Sequence, residues 1–285
     1  MAGIANGFAT GDACVRALEA GADTLLMPVD PDAAIKAVMA AVQSGRLSRQ
    51  RIQESVVKIL AAKEKVGLDK KRFVDLEAIG DIVDSPEANE KAQEIADRAV
   101  TLVRNGGSLV PLAAPDRACY VVMAESRTSV GGQVFAQEVR KRVAHAALAT
   151  LDPSMARQDL DDALGKFTGC QNYVVAAFAS VGANRGTVGL TGELPHALET
   201  IAAAGKPVVL AALGNPYLLR DFPRVTAYLA TFSTVPPSEI AAVRALFGEI
   251  PIRGHLPVTI PGMASYHDGI QVQATRPPYV NGSAQ

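Results

Sequence analysis

The chain of 285 residues contains 28 basic and 29 acidic side chains, so its formal net charge is −1, and 48% of its residues are hydrophobic. This composition predicts a folded globular protein with one large or two ordinary domains. A charge balance this close to zero gives no electrostatic reason to expect nucleic acid or a membrane surface as a partner.

The three cysteines, Cys14, Cys119 and Cys170, are odd in number and widely spaced. We therefore expect neither a disulfide framework nor a metal site, which favours a reducing, cytoplasmic compartment. No apolar run approaches the roughly 18 residues of a membrane span, and the N-terminal residues lack the pattern of an export signal. If the chain is a fragment, that last observation says nothing about export.

The first hundred residues predict a series of helices with one short strand among them. Residues that cap helices mark three of the starts, namely Asp30 before Pro31, Ser48, and Ser85 before Pro86. The predicted elements are a helix at 11–20, a strand at 24–27 (TLLM), and helices from 30 through 42, from 48 to 67 and from 85 to about 103.

The single strand at 24–27 cannot form a core alone, because its backbone groups need hydrogen-bonded neighbours on both edges. Either the neighbouring strands come from elsewhere, or this part of the chain is an irregular helical domain with a stray apolar run. The pattern by itself leaves both interpretations open.

Residues 99–112 (AVTLVRNGGSLVPL) separate this helical part from a different kind of chain. Asn105, Gly106 and Gly107 predict a turn, because glycine adopts positive φ without steric cost. Pro111 cannot continue a helix. We therefore predict a hinge between two units at this point.

From residue 118 onwards, apolar runs alternate with helical patterns. Continuous apolar strands that alternate with helices are typical of a mostly parallel, doubly wound sheet with helices on both faces, so the predicted fold class is α/β. The predicted strands are 120–124, 146–151, 173–179, 207–213, 228–232 and 255–260, and the predicted helices are 134–143, 157–167, 194–203 and 237–247.

The loop at 180–192 follows one of these strands, which is where open α/β sheets bind ligands. Its glycines have neither the G-x-G spacing of a dinucleotide loop nor the G-K-(S/T) of a P-loop. A structurally required turn is therefore favoured over a nucleotide site, and no cofactor is implied.

Several segments, in the same order, resemble glycoside hydrolase family 3. Residues 99–112 are similar to the linker that enters the C-terminal domain of the family. The other matching segments are 21–28 (GADTLLMP) and 51–63 (RIQESVVKILAAK), similar to the end of its (β/α)8 barrel, and 213–219 (LGNPYLL), 236–248 (PPSEIAAVRALFG) and 254–262 (GHLPVTIPG), similar to its C-terminal domain.

The resemblance implies three parts. Residues 1–70 would be the end of a (β/α)8 barrel, 71–112 a helical linker, and 113–285 a flavodoxin-like α/β sandwich domain. It also implies that the chain packs against the N-terminal portion of the barrel.

The resemblance further implies that the catalytic groups lie outside this chain. The family's nucleophile is an Asp in a pattern whose tail is similar to residues 1–4 (MAGI), so that Asp would lie shortly before Met1. Asp12 and Asp23 lie too far along the chain to replace it. We therefore expect no catalytic residue in this chain.

Two branches of the family differ in their acid/base group. Members similar to β-glucosidases carry a carboxylate near the 180–192 loop, whereas members similar to β-N-acetylglucosaminidases use a His–Asp pair on a barrel loop. Residues 180–192 contain no Asp or Glu, and Glu193 is explained by capping and the dipole of the following helix. The acetylglucosaminidase branch is therefore favoured.

The histidine of that branch would precede Met1, so none of the four histidines in this chain is a candidate. We expect His145 and His196 on helices, and His255 and His267 beside the last strand.

Asn184 and Arg185 are the candidate substrate-binding residues, because they are the only long polar side chains in the 180–192 loop. If the C-terminal domain packs over the barrel, as the resemblance implies, Arg185 would hydrogen-bond the sugar chain. An exposed arginine on a glycine-rich loop is the alternative.

The predicted function is hydrolysis of β-linked N-acetylglucosamine in cell-wall or chitin-type oligosaccharides by a retaining mechanism, without a metal or cofactor and with the isolated chain inactive. Two alternatives stay open. One is a β-glucosidase or β-xylosidase of the same family, and the other is a non-catalytic flavodoxin-like module that binds a partner or a small ligand.

Overall fold

A computed structural model of the chain describes residues 7–181 and 188–279. The chain divides into two units, Met1–Val83 and Asp84–Gln285. In the first unit the helices are α1 (Thr10–Glu19), α2 (Pro31–Gln43), α3 (Arg49–Lys65) and α4 (Ile79–Val83).

The helix starts predicted from capping residues are confirmed. The side chains of Asp30, Ser48 and Ser85 each accept a hydrogen bond from the backbone N–H three residues further on, at 2.9, 3.0 and 3.1 Å. These contacts satisfy N–H groups that the first turn of a helix leaves without a partner.

The strand predicted at 24–27 is wrong. These residues have no strand partner in the part of the chain that the structure describes, and the side chains of Leu26 and Met27 are 86% and 83% exposed. An apolar run forms a strand only where another strand offers hydrogen bonds, so without a neighbour the backbone here stays irregular.

The second unit contains a six-stranded sheet with the strand order β1-β6-β5-β4-β2-β3. β1 runs antiparallel to β6, and the other neighbouring pairs are parallel. Its elements are α5 (Pro86–Ala99), β1 (Thr101–Asn105), β2 (Ala118–Met123), α6 (Gln133–Arg142), β3 (Ala147–Leu151), α7 (Arg157–Gly165), β4 (Asn172–Ala179), α8 (Leu194–Ala203), β5 (Val208–Gly214), α9 (Leu218–Asp221), β6 (Ala227–Ala230) and α10 (Pro236–Phe247).

Helices cover both faces of this sheet, so the predicted doubly wound α/β architecture is confirmed. On one face Val139 of α6 and Leu246 of α10 pack against side chains of the sheet. On the other face Leu160 of α7 and Leu198 of α8 do the same. β2, β4, β5 and β6 are buried from both sides, which explains why they read as continuous apolar runs.

Two elements at the end of the sheet differ from the sequence-based prediction. The helix expected to reach residue 103 ends at Ala99, and residues 101–105 form β1 beside β6. The strand expected at 255–260 is absent, because β1 already occupies the edge of β6 and because Pro257 has no N–H for a ladder. In the described chain this segment has one isolated bridge, between Ile260 and Ala264.

Cys119 and Cys170 form a disulfide, so the expectation of no disulfide is wrong. Cys119 lies on β2, and Cys170 lies two residues before β4, the neighbour of β2 in the sheet. The two Cα atoms are 5.6 Å apart although 51 residues separate them in sequence. Spacing along the chain could not reveal this pairing, since strand order brings the two residues together. The basis for a reducing compartment is removed with it.

We expect Cys170→Ala, or reduction of the disulfide, to lower the free energy of unfolding by about 2–4 kcal/mol, because the disulfide closes a long loop in the unfolded chain. Urea unfolding with and without a reductant measures this. The matched control is the Cys119→Ala/Cys170→Ala double variant, on which a reductant should have no effect. Three free thiols in the unreduced, denatured protein, instead of the single thiol of Cys14, would contradict the disulfide.

A buried carboxylate joins two helices on the same face of the sheet. Glu239, in the first turn of α10, is 1% exposed. Its Oε2 accepts hydrogen bonds from the N–H of Gly132 at 3.2 Å and from the N–H of Phe135 at 2.7 Å. Glu239 therefore caps the N-terminus of α6 from another helix. Burial raises the pKa of its carboxyl group, and the backbone N–H groups oppose that rise.

We expect Glu239→Ala to lower the free energy of unfolding by about 1–3 kcal/mol, because two buried N–H groups lose their acceptor. Since the folded pKa is raised, the contribution of the carboxyl group to stability is fully present below its unfolded pKa and is lost as the pH rises through the folded value. Glu239→Gln, which keeps an acceptor oxygen, should therefore flatten the loss of stability with rising pH.

Urea unfolding curves collected from acid to neutral pH measure both effects. Glu199→Gln, on the exposed side of α8, is the matched control and should follow the wild-type pH profile. If the free energy of unfolding of wild type and of Glu239→Gln changed with pH in the same way, the assignment of this pH dependence to Glu239 would be contradicted.

Candidate functional site

The carboxyl ends of the parallel strands form a crevice between β2 and β4. The chain passes from β2 to β3 on one side and returns to β4 on the other, so the direction of winding reverses between β2 and β4. Open α/β sheets bind ligands at such reversal points. The residues that follow these two strands therefore lie where such a sheet binds ligands.

Glu125, which follows β2, and Ser180, which follows β4, meet at this point. Glu125 Oε1 accepts hydrogen bonds from the N–H and from the hydroxyl of Ser180, both at 2.6 Å. Together with Gly189, Thr191 and Leu194 they line a cavity of about 20 Å³. That volume holds one water molecule and no sugar ring. Glu125 therefore holds the start of the 180–192 loop.

Asn215 holds a later point of the same loop. Its Nδ2 donates to the carbonyl of Val188, and its Oδ1 accepts from the N–H of Tyr217 at 2.9 Å. Gly214, just before it, has φ +101°, and a Cβ atom there would lie 2.4 Å from the carbonyl oxygen of Ala179. Only glycine fits this approach of two backbones. Sequence reasoning gave no functional role to Asn215 or Glu125, although an acidic residue directly after a predicted buried strand was a usable signal.

The candidate substrate-binding residues Asn184 and Arg185 lie outside the described residues, so their role stays a prediction. Glu193 is the N-cap residue of α8, but its side chain makes no capping hydrogen bond, contrary to the expectation. Its Oε2 instead accepts from the guanidinium group of Arg157 at 3.0 Å. An ion pair with the start of α7 therefore accounts for this acidic side chain.

The N-terminus of α6 is the position at which doubly wound folds bind phosphate, because the N–H groups of a first helix turn point at the ligand. In this chain the carboxylate of Glu239 accepts hydrogen bonds from two of the N–H groups at that position. A phosphate there would meet a buried carboxylate in place of open donors. This contact disfavours nucleotide binding at α6.

The four histidines fall into two groups. His196 lies on α8 as expected, whereas His145 lies in the turn after α6 because that helix ends at Arg142. His255 and His267 stack, with ring centroids 4.2 Å apart and planes inclined by 5°. The last strand that was expected beside them is absent, since residues 255–260 do not form one.

The two carboxylates near the start of the chain are in ion pairs. Asp12 accepts from Arg16 at 2.8 Å. Asp23 accepts from the hydroxyl of Ser55 at 2.8 Å and from Lys58 at 3.0 Å. The hydrogen bond from Ser55 and that from Lys58 hold the pKa of Asp23 below its ordinary value. Both carboxylates are thus engaged in contacts within the first unit.

Residues 7–181 and 188–279 contain no group of three or more His, Cys, Asp and Glu side chains that could hold a metal ion. No helix within those ranges is long and apolar enough to cross a membrane.

Each of the two units matches a domain of a known protein family. Residues 100–284 match the glycosyl hydrolase family 3 C-terminal domain, and residues 1–62 match the glycosyl hydrolase family 3 N-terminal domain. A β-N-acetylglucosaminidase/β-glucosidase of Cellulomonas fimi is 24% identical over 270 residues, which is 90% of this chain and 47% of the relative.

Solved structures share the fold. A glycoside hydrolase family 3 β-N-acetylglucosaminidase from Paenibacillus sp. str. FPU-7 superposes with a TM-score of 0.69 at 24% identity, covering 90% of this chain and 49% of that one. A β-glucosidase from Listeria innocua superposes with a TM-score of 0.64 at 20% identity, covering 90% and 39%. The chain thus spans about half the length, or less, of these relatives. Because the C-terminal domain match alone covers more than half of the chain, the chain belongs to glycosyl hydrolase family 3.

Proposed function

We propose that this chain is part of a retaining glycoside hydrolase that cleaves β-linked N-acetylglucosamine in cell-wall or chitin-type oligosaccharides. The observation that carries the choice of sugar is the 180–192 loop, which contains no carboxylate. Relatives described as β-N-acetylglucosaminidases support the same choice.

The first unit would complete a (β/α)8 barrel with a polypeptide portion outside this chain. Its apolar surface supports this role, because Leu26, Met27 and Val29 are largely exposed. They line a groove of about 150 Å³ together with Phe8 and Cys14. Surface of this kind is stabilised by burial against a partner. In this proposal residues 1–70 belong to the barrel and 113–285 to the sandwich, while 71–112 link the two and contribute β1 to the sheet of the sandwich.

The reaction needs two groups. A carboxylate attacks the anomeric carbon and forms a glycosyl-enzyme, while a second group protonates the leaving oxygen and then removes a proton from water. We assign both groups to the outside portion of the barrel. The carboxylates described above have other partners: Asp23 is ion-paired, Glu125 binds Ser180, and Glu239 caps α6.

A β-glucosidase of the same family is the second candidate. It is favoured by one observation, namely that the Cellulomonas fimi relative is described with both activities. The turnover of a β-N-acetylglucosaminide relative to that of a β-glucoside distinguishes the two candidate functions.

We expect the isolated chain to show no turnover of 4-nitrophenyl β-N-acetylglucosaminide, because removal of either cooperating group abolishes most of the rate enhancement. The same chain, extended by the N-terminal barrel portion, should hydrolyse it faster than 4-nitrophenyl β-glucoside. The extended protein with its nucleophilic Asp replaced is the control. Turnover by the isolated chain would refute the assignment of the catalytic groups, and a preference for the glucoside would refute the choice of sugar.

In the extended enzyme, Arg185→Ala should raise KM for a chitin-type oligosaccharide about tenfold. This change corresponds to the loss of one hydrogen bond that contributes about 1.4 kcal/mol to binding. KM for the small aryl glycoside should change little, because that substrate does not reach the loop. Steady-state kinetics on both substrates measure the difference. Arg98→Ala, an exposed arginine on α5, is the matched control. Unchanged KM values for both substrates would show that Arg185 does not contact the sugar.

A further inference from the structure

The strand β3 forms one edge of the six-stranded sheet. It is the last strand in the sheet order, and among the described strands it pairs with β2 alone. The opposite edge, at β1, differs because the N–H groups of Gly254 and Ile270 donate to its backbone. The sheet therefore has a covered edge at β1 and, within the described chain, an open edge at β3.

The backbone groups that face the open edge belong to Leu148 and Thr150. The carbonyl of Leu151 accepts from the N–H of Ala124, just after β2, at 2.9 Å, so the backbone groups of Leu151 point towards β2. Alternate residues of a strand direct these groups to opposite edges. The N–H and C=O groups of Leu148 and Thr150 therefore point away from the sheet, and no described residue bonds them. Such a row of groups is a template for another strand.

The side chains at this edge do not oppose pairing. Residues 146–151 (AALATL) contain neither a charged residue nor a proline, which are the residues that protect edge strands in many proteins. Ala147 and Thr150 point to opposite faces of the sheet, and both are exposed. The helices on the two faces therefore leave the edge uncovered at these positions.

The two ends of β3 differ in charge. The exposed side chains of Arg140 and Lys141, at the end of α6, lie before the strand. The acidic side chains that follow the strand are Asp152, Asp159, Asp161 and Asp162. If two copies of this edge pair in antiparallel fashion, the basic end of each copy lies beside the acidic end of the other. A parallel pair would bring like charges together.

We propose that β3 is a docking edge for β3 of a second copy of this chain, with the two strands antiparallel about a two-fold axis at Ala149. In this register Leu148 lies opposite Thr150 of the second copy, and the two residues exchange both hydrogen bonds. The axis repeats this pair on the other side of Ala149. Because the contact uses the same surface on both copies, it closes at a dimer.

Cysteine substitutions test this register on the whole chain. Opposed residues of a non-hydrogen-bonded antiparallel pair have Cα atoms about 4.5 Å apart, which a disulfide spans. Ala149→Cys should therefore give a covalent dimer on mild oxidation, visible on a non-reducing gel. Ala147→Cys is the matched control. Its two copies would be four residues out of register, about 13 Å apart, so this more exposed cysteine should not cross-link.

Sedimentation velocity at increasing protein concentration measures the association itself. The wild type should change from monomer to dimer in the micromolar range. Thr150→Pro removes an N–H group that faces the open edge, where proline is tolerated. Since each dimer loses two hydrogen bonds, its dissociation constant should rise at least tenfold. The thermal midpoint of the dilute variant should stay near that of the wild type.

Leu26→Ser is the control for association through the exposed apolar side chains of the first unit, and it should dimerise as the wild type does. A wild type that stays monomeric, equal cross-linking of Ala147→Cys and Ala149→Cys, or an undiminished affinity in Thr150→Pro would overturn the proposal. Loss of the dimer in Leu26→Ser would assign the contact to the first unit instead. None of these results depends on the proposed hydrolysis.

Discussion

The second unit depends on one constraint, the pairing of backbone groups inside a sheet that is buried on both faces. β2, β4, β5 and β6 are buried along almost their whole length, so their N–H and C=O groups cannot reach water and must bond in the plane of the sheet. β6 therefore needs a hydrogen-bonded strand on its outer side, and β1 is that strand. The N–H groups of Gly254 and Ile270 bond the carbonyls of Val100 and Leu102 at its outer edge.

The same constraint determines where polar side chains are found. Buried hydroxyls on the strands, such as that of Tyr120, reach carbonyl groups outside the sheet, and other polar side chains collect where strands end and backbone groups lose their ladder partners. Glu125, Asn215 and Glu239 each bond the backbone of a loop or a helix start in this way. The buried polar groups at this edge thus support loops, and the side chains that meet a ligand have to come from the loops or from the outer surface.

The first unit, in contrast to the second, has a small core and an exposed apolar run. Its small core consists of residues such as Val15 and Leu18, while the apolar run after α1 faces solvent. Helices can form there because their hydrogen bonds are internal, whereas a strand depends on a neighbour. The chain spans about half the length of the family relatives described above.

The sequence by itself determined the helix starts and the central strands, which rest on local chemistry. Three helix starts follow from the caps at Asp30, Ser48 and Ser85, and the central strands and their helices follow from apolar periodicity. Tertiary structure alone decided which distant segments meet. Strand order brought Cys119 to Cys170, and a turn brought His255 to His267. Such pairs depend on contacts between residues far apart in the chain, and neither propensity nor spacing along the sequence records those contacts.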